Sequence, residues 1–174
     1  FRLDQKTGIE LVGEETPLLP RWKKNKEGLH AMLTMSFGYA IEVSPLHTLM
    51  LYNAVANDGI MLSPLLVTEI RETGKEVKSF KPVVMKEKIC SKKVLEQARL
   101  CLEGVVENGT ARNLKNENYK VAGKTGTAQM ADAKHGYRKF YKSSFVGYFP
   151  ADNPKYSCIV SINGPSNGIY YGGA

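Results

Sequence analysis

The chain has 174 residues, 43% of them hydrophobic and 9% aromatic, which suffices for one folded domain with a core and is too apolar for disorder. Its formal charge of +7 would suit an anionic partner. The basic residues are scattered, however, with no zinc spacing, helix-turn-helix cue or aromatic-basic RNA signature, so nucleic acid is not the expected partner. The chain begins at Phe1, and no run of ~18 apolar residues suggests a transmembrane helix or signal peptide within it.

Residues 1 to 28 contain Pro17 and Pro20, show little periodicity and read as loop, with one short extended piece at Ile9 to Val12. Within them, the basic group Arg21-Trp22-Lys23-Lys24-Asn25-Lys26 reads as solvated. From Ala31 to Val43 the chain is apolar and partly alternating, which predicts an extended segment. Ser44-Pro45 then predicts an N-cap with proline at the first helical position. Leu46, Leu49, Met50 and Ala54 recur at helical spacing until Asn57-Asp58-Gly59.

Leu65 to Glu72, the turn Thr73-Gly74-Lys75, and Glu76 to Phe80 predict a β-hairpin with a polar outer face. Ser91 caps a second predicted helix, whose apolar stripe is Leu95, Ala98, Cys101, Leu102, Val105 and Val106 and which ends at Asn108-Gly109. After a polar stretch from Thr110 to Asn118 come three strand-like runs: Tyr119 to Met130, Ser144 to Phe149, and Tyr156 to Asn163. A second basic group, Lys134, Arg138, Lys139 and Lys142, reads as a solvated loop between the first two, and Asp152-Asn153-Pro154 as a turn joining an antiparallel pair.

Cys90, Cys101 and Cys158 include no C-x-x-C, and Cys90 and Cys101 are separated by about ten helical residues at ~1.5 Å each, beyond disulfide reach. They are expected to be buried free thiols. His30, His47 and His135 have no metal-like spacing; His47, on the first turn of a helix, reads as surface or packing. No metal and no cofactor are expected.

Gly123-Lys124-Thr125 matches the end of a phosphate loop, but that pattern needs a glycine where Asn118 stands and a helix immediately after. Here Gly126-Thr127-Ala128-Gln129 continues an extended run. An edge strand reading Lys124-Thr125-Gly126-Thr127 offers an ammonium, two hydroxyls on one face, and a glycine that lets a ligand backbone lie close. Such a strand suits an anionic, extended, peptide-like ligand. Lys-Thr-Gly is also one of three motifs, with S-x-x-K and S-D-N, that together mark serine enzymes acylated by penicillin.

The surroundings narrow the match. Lys124 to Gln129 followed by Ser144-Phe145-Val146-Gly147-Tyr148-Phe149-Pro150 resembles two neighbouring strands of the transpeptidase domain of class B penicillin-binding proteins. Gly8 to Glu14, Thr34 to Tyr39, and Ser44-Pro45-Leu46 through Gly59 also resemble that family, in its order, so that nearly the whole chain is covered. Among class B members the similarity is greatest to the septal, cell-division transpeptidases.

The resemblance implies an α/β fold of the α+β type, an antiparallel sheet with flanking helices. It implies a peptidoglycan D,D-transpeptidase, periplasmic or otherwise extracytoplasmic, membrane-anchored, and working through an acyl-serine intermediate. Its implied partners are peptidoglycan stem peptides, β-lactams and other cell-division proteins. Lys124 takes the role of electrostatic and proton-network partner to the nucleophile. Thr125 and Thr127 contact the terminal carboxylate, with Gly126 between them, and the Thr127 backbone N–H is an oxyanion donor.

No serine of the chain is followed three places later by lysine, and Ser161-Ile162-Asn163, which fits S-x-N, comes after the Lys-Thr-Gly strand, whereas the family's motif precedes it. The expectation is therefore a partial transpeptidase domain over residues 1–174, truncated at both ends. It would lack the segment with S-x-x-K and S-x-N and the C-terminal helix, and would be inactive by itself. A non-catalytic penicillin-binding-like sensor or scaffold is the alternative.

Overall fold

A computed structural model describes residues 1–20, 26–132, 136–165 and 171–173. In chain order the elements are α1 (Lys26–Met35), α2 (Pro45–Ala56), β1 (Met61–Leu62), β2 (Glu69–Glu72), β3 (Lys75–Ser79), β4 (Val84–Lys86), α3 (Lys92–Glu107), a short 3-10 turn (Arg112–Leu114), β5 (Ala122–Asp132), β6 (Gly136–Phe149) and β7 (Tyr156–Asn163). They divide into two compact units, the first formed by Phe1–His47 with Ser63–Val83, the second by Thr48–Leu62 with Val84–Ala174.

The first unit corrects two expectations. Ala31 to Met35 is not extended but is the second half of α1. Leu29, Met32 and Leu33 are spaced for a helix, whereas the alternation that suggested a strand comes only from Leu33 to Phe37. Thr34 Oγ1 bonds back to the His30 and Ala31 carbonyls at 3.0 and 2.9 Å, and Gly38, at φ +95°, stops the turn. Ile9 to Val12 is a turn, not a strand, closed by Leu11 N–H to the Ile9 carbonyl at 2.8 Å. Among the described residues of this stretch, extended pairing is confined to an isolated antiparallel bridge between Leu18 and Glu42. Of the first basic group, Arg21 to Asn25 lie outside the described residues, and Lys26 opens α1.

The start of α2 follows the sequence expectation. Ser44 Oγ lies 3.4 Å from the His47 amide nitrogen and 2.8 Å from His47 Nδ1. His47 Nε2 lies 2.8 Å from the Gln5 carbonyl, which can only accept, so Nε2 carries a proton. His47 is therefore a buried packing residue satisfied at both nitrogens.

The hairpin is shorter than predicted: β2 begins at Glu69, and Leu65 to Thr68 stay outside it. β2 and β3 pair antiparallel across Thr73 (φ +47°) and Gly74 (φ +81°). Two successive positive φ values make the turn type whose twist matches paired strands. Both faces are open, with Ile70 and Val77 exposed.

In the second unit, β1 pairs with β4, elements too short to leave a period in the sequence. The main sheet has the order β5-β6-β7, antiparallel throughout. β6 corrects the solvated-loop reading. Arg138, Lys139 and Lys142 lie on a strand that starts at Gly136 rather than Ser144, and Lys134 lies outside the described residues. The register carries pairing from Ala122↔Tyr148 to Asp132↔Gly136, so cross-strand hydrogen bonding extends the strand through residues whose charge suggests a loop. β5 is offset likewise, spanning Ala122 to Asp132 rather than Tyr119 to Met130. β7 matches its expected limits.

The core gathers Ala122, Tyr148 and Ala151 against Val55, Ala56 and Leu102, with α3 packed on β5. Ser91 caps α3, accepting from the Val94 amide, and Leu95 and Val106 are buried on its inner face. Cys101 is exposed, not buried, because at ~100° per residue it lies about 240° round the helix from Leu95. Cys158 is exposed too, on the face of β7 that carries Tyr156 and Val160, and Cys90 is half-buried. Arg99, one turn on from Leu95, reaches the end of α2. Its guanidinium donates to the Val55 carbonyl (2.7 and 3.0 Å) and the Ala56 carbonyl (2.9 Å), and pairs with Asp58 at 3.0 Å. A cation thereby meets the unpaired carbonyls of a helix C-terminus.

Candidate active site

Among the described residues β5 is an edge strand of its sheet, bonded on one side to β6. Lys124, Thr125, Gly126 and Thr127 lie in its first half, opposite Val146, Phe145, Ser144 and Ser143. The strand continues, past a shift in register between Gln129 and Ala131, to Asp132, so no helix follows Lys124-Thr125 and the phosphate-loop reading falls.

Lys124 Nζ donates to the Thr125 carbonyl at 2.8 Å, as a carbonyl turned away from β6 allows. Along an antiparallel strand the backbone groups of alternate residues turn to the same edge. Thr127 accordingly presents its amide to the open edge, while Gly126 is turned to Ser144. A Cβ added at Gly126 would lie 2.6 Å from Ser144 Oγ, so a side chain there would displace the serine.

The two hydroxyls have defined neighbours. Thr125 Oγ1 lies 2.7 Å from Thr110 Oγ1, in the loop that follows α3. Thr127 Oγ1 accepts from the Gly172 amide at 3.1 Å. The strand thus brings together an ammonium, two hydroxyls and an outward amide, with the lysine and Thr127 side chains exposed. This arrangement can hold an anionic group and stabilise negative charge on an adjacent oxygen. Thr110 and Gly172 have no equivalent in the sequence reading. Thr110 opens a polar stretch, Gly172 falls in a glycine-rich one, and only the third dimension puts them on β5.

Other candidates stay apart. Ser161 and Asn163 lie on β7, two strands from β5, with Ser161 opposite Ser144. His30 is on α1, and His135 lies outside the described residues. Among the described residues no group of three His, Cys, Asp or Glu could hold a metal ion. A cavity of about 210 Å³ beside Asn53, Leu62, Pro154 and Tyr156 shares no residue with the Lys124 strand, and its lining has no acid–base pair. We place no chemistry in it.

The chain matches the family model of the penicillin binding protein transpeptidase domain over residues 1–174. It is 35% identical to stage V sporulation protein D of Bacillus subtilis over 99% of this chain and 27% of that protein. It is 30% identical to the peptidoglycan D,D-transpeptidase FtsI of Escherichia coli K12 over 100% of this chain and 28% of that protein. The chain therefore spans less than a third of either relative's length. Among solved structures, penicillin binding protein 3 of Mycobacterium tuberculosis, complexed with aztreonam, superposes with a TM-score of 0.81 at 28% identity, covering 94% of this chain and 38% of that one. The transpeptidase domain of penicillin-binding protein 3 from Burkholderia pseudomallei gives 0.76 at 30% identity, covering 98% and 49%. The mixed helix and antiparallel-sheet fold expected from the sequence is the fold of these neighbours. With the family model spanning the chain from end to end, this protein belongs to the penicillin-binding protein transpeptidase family.

Proposed function

We propose that the chain supplies the substrate-binding and oxyanion edge of a peptidoglycan D,D-transpeptidase that works through an acyl-serine intermediate. The observation that carries this reading is the juxtaposition on one edge strand of the Lys124 ammonium, the Thr125 and Thr127 hydroxyls and an outward Thr127 amide. The terminal carboxylate of a stem peptide, or the carboxylate of a β-lactam, would be held by the two hydroxyls, while Gly126 between them leaves room for Ser144 on the neighbouring strand. The serine passes its proton to the lysine of its own S-x-x-K motif as it attacks the penultimate D-alanine carbonyl; the carbon–oxygen π pair moves onto oxygen, where the Thr127 N–H meets the negative charge. When the tetrahedral intermediate collapses, the C–N bond breaks and D-alanine leaves with that same proton on its amine. The amine of a neighbouring stem then displaces the serine. Lys124 supplies positive charge beside the reacting serine throughout.

Since no serine of these 174 residues begins S-x-x-K, the nucleophile is assigned to a segment outside them. The active centre would be extracytoplasmic, where wall cross-linking occurs. Among the described residues no helix is long and apolar enough to cross a membrane.

Labelling with a fluorescent penicillin tests this reading. The longer protein should form a covalent adduct, and these 174 residues alone should form none. Lys124→Ala in the longer protein should slow adduct formation by roughly 100-fold or more. A longer protein that forms no adduct would instead be the non-catalytic sensor or scaffold. An unchanged rate in Lys124→Ala would remove the lysine's role.

A further inference from the structure

Thr125 and Thr127 each carry one hydroxyl proton that can rotate away from a ligand, so a seat made of two such rotors is only as good as whatever fixes them. The geometry points to Thr110 and the Gly172 amide as positioning groups that turn both protons outward, an inference that rests on the carboxylate-binding role proposed above.

At Thr127 the direction is settled by chemistry. An amide can only donate, so Gly172 N–H occupies an acceptor lone pair of Thr127 Oγ1, and the threonine's own proton is left for another acceptor. At Thr125 either hydroxyl could donate across the 2.7 Å contact. A carboxylate settles the choice, because it offers only acceptors. With an anion in place, Thr125 donates to it and accepts from Thr110. The result is a directed chain, Thr110 O–H to Thr125 O–H to carboxylate, in which each bond polarises the next.

The two positioning groups are themselves held. Thr110 sits in the chain reversal that ends α3, between the Asn108 amide, bonded to the Gly104 carbonyl at 3.0 Å, and the Ala111 amide, bonded to the Val105 carbonyl at 3.1 Å. Ala111 is fully buried. Gly173 lies between this reversal and β5, and Gly172 lies against β5 and β6. A Cβ at Gly172 would fall on the Gly126 and Ser144 carbonyl oxygens, and one at Gly173 on the Thr110 carbonyl oxygen. The backbone reaches both threonines because neither residue has a side chain. Fixing the Thr127 rotor before binding, and giving Thr125 a partner that can donate once an anion arrives, removes an ordering cost from the ligand's own binding energy.

The test uses the longer protein and two forms of one β-lactam, the free carboxylate and its methyl ester, with the second-order acylation constant as readout. Thr110→Val should lower that constant about threefold to tenfold for the carboxylate, the weight of one hydrogen bond. It should leave the ester unchanged, and Thr110→Ser should restore the wild-type value. In a Thr125→Val background, Thr110→Val should add no further loss. Gly172→Ala should lower the carboxylate constant in the same direction. Equal losses for carboxylate and ester, or no loss in Thr110→Val, would overturn the inference. So would failure of both Thr110→Val and Gly172→Ala to fold, which would make the contacts structural. A wild-type protein acylated by neither form would overturn the functional reading itself, an outcome distinct from normal acylation that ignores Thr110.

Discussion

The two units of the chain bury opposite kinds of residue. Among the described residues of the first, the buried side chains are Thr7 and His47, both polar. In the second they are mainly apolar, with Ala54, Met61, Leu95, Val106, Ala122, Val146 and Tyr148 among them. Direction holds the first unit, through hydrogen bonds from His47 to Ser44 and Gln5 and from Thr7 to Glu14. Volume holds the second. The Lys124 strand belongs to the unit with the apolar core, where a packed helix fixes the sheet from behind. A site that must keep two hydroxyls and an amide in register gains from that rigidity.

Truncation of a core residue should separate the units most. Leu95 is 6% exposed on α3, and Leu95→Ala should cost about 2 to 5 kcal/mol through lost transfer energy and the cavity left behind. Val77 on β3 is 61% exposed, and Val77→Ala should cost within roughly 0.5 kcal/mol. Urea midpoints of the two variants check the contrast. Equal losses would mean that the open hairpin carries structure that its exposure hides.

Within the apolar unit Tyr148 is an exception that sharpens the comparison. Its ring is fully buried, and its hydroxyl has no hydrogen-bond partner among the described residues. Burial pushes its pKa up to about 12, against the opposing pull of Arg99 and with Glu103 adding to the rise. Removing an unpaired buried hydroxyl while keeping the ring should be neutral to stabilising. Tyr148→Phe should therefore raise the unfolding free energy by up to about 1 kcal/mol. A loss of stability in thermal melts would mean that the hydroxyl is partnered and that the polar logic of the first unit extends into the second.

Legibility in the sequence depended instead on how local the signal is. α2, α3 and β7 were readable with nearly their full limits, since Ser44-Pro45 and Ser91 are local start signals and the apolar spacing reports the core directly. α1 is not legible, because Leu33 to Phe37 alternates within and after the helix. The first part of β6 is not legible either, because its strand character comes from the partner β5 and not from its own Arg138, Lys139 and Lys142. At the candidate site, Lys124 to Thr127 stood out as a motif on a strand. Thr110 and Gly172 did not, since a contact between residues 15 or 45 positions apart leaves no local pattern.

The smallest effect should come from acid, in the polar unit. Glu14 accepts from the Thr7 amide at 2.5 Å. Its carboxyl is held below the usual carboxylate range first by the Thr7 side-chain hydrogen bond, then by the Thr7 and Gly8 amides and His47, with partial burial opposing. A depressed folded-state value binds fewer protons than the unfolded chain. The contribution is therefore present above the ordinary glutamate pKa of about 4.3 and is lost as pH falls through the lowered folded value. Hydrogen exchange at the Thr7 amide should stay protected at neutral pH and lose protection below about pH 4, relative to an ordinary exchange profile. Glu14→Gln should flatten that acid response, because an amide has no proton to gain, while Leu95 and its neighbours exchange as before. If the variant kept the full acid response, the latch around Thr7 and His47 would owe its pH dependence to another group, and the directional half of the comparison would need a different anchor.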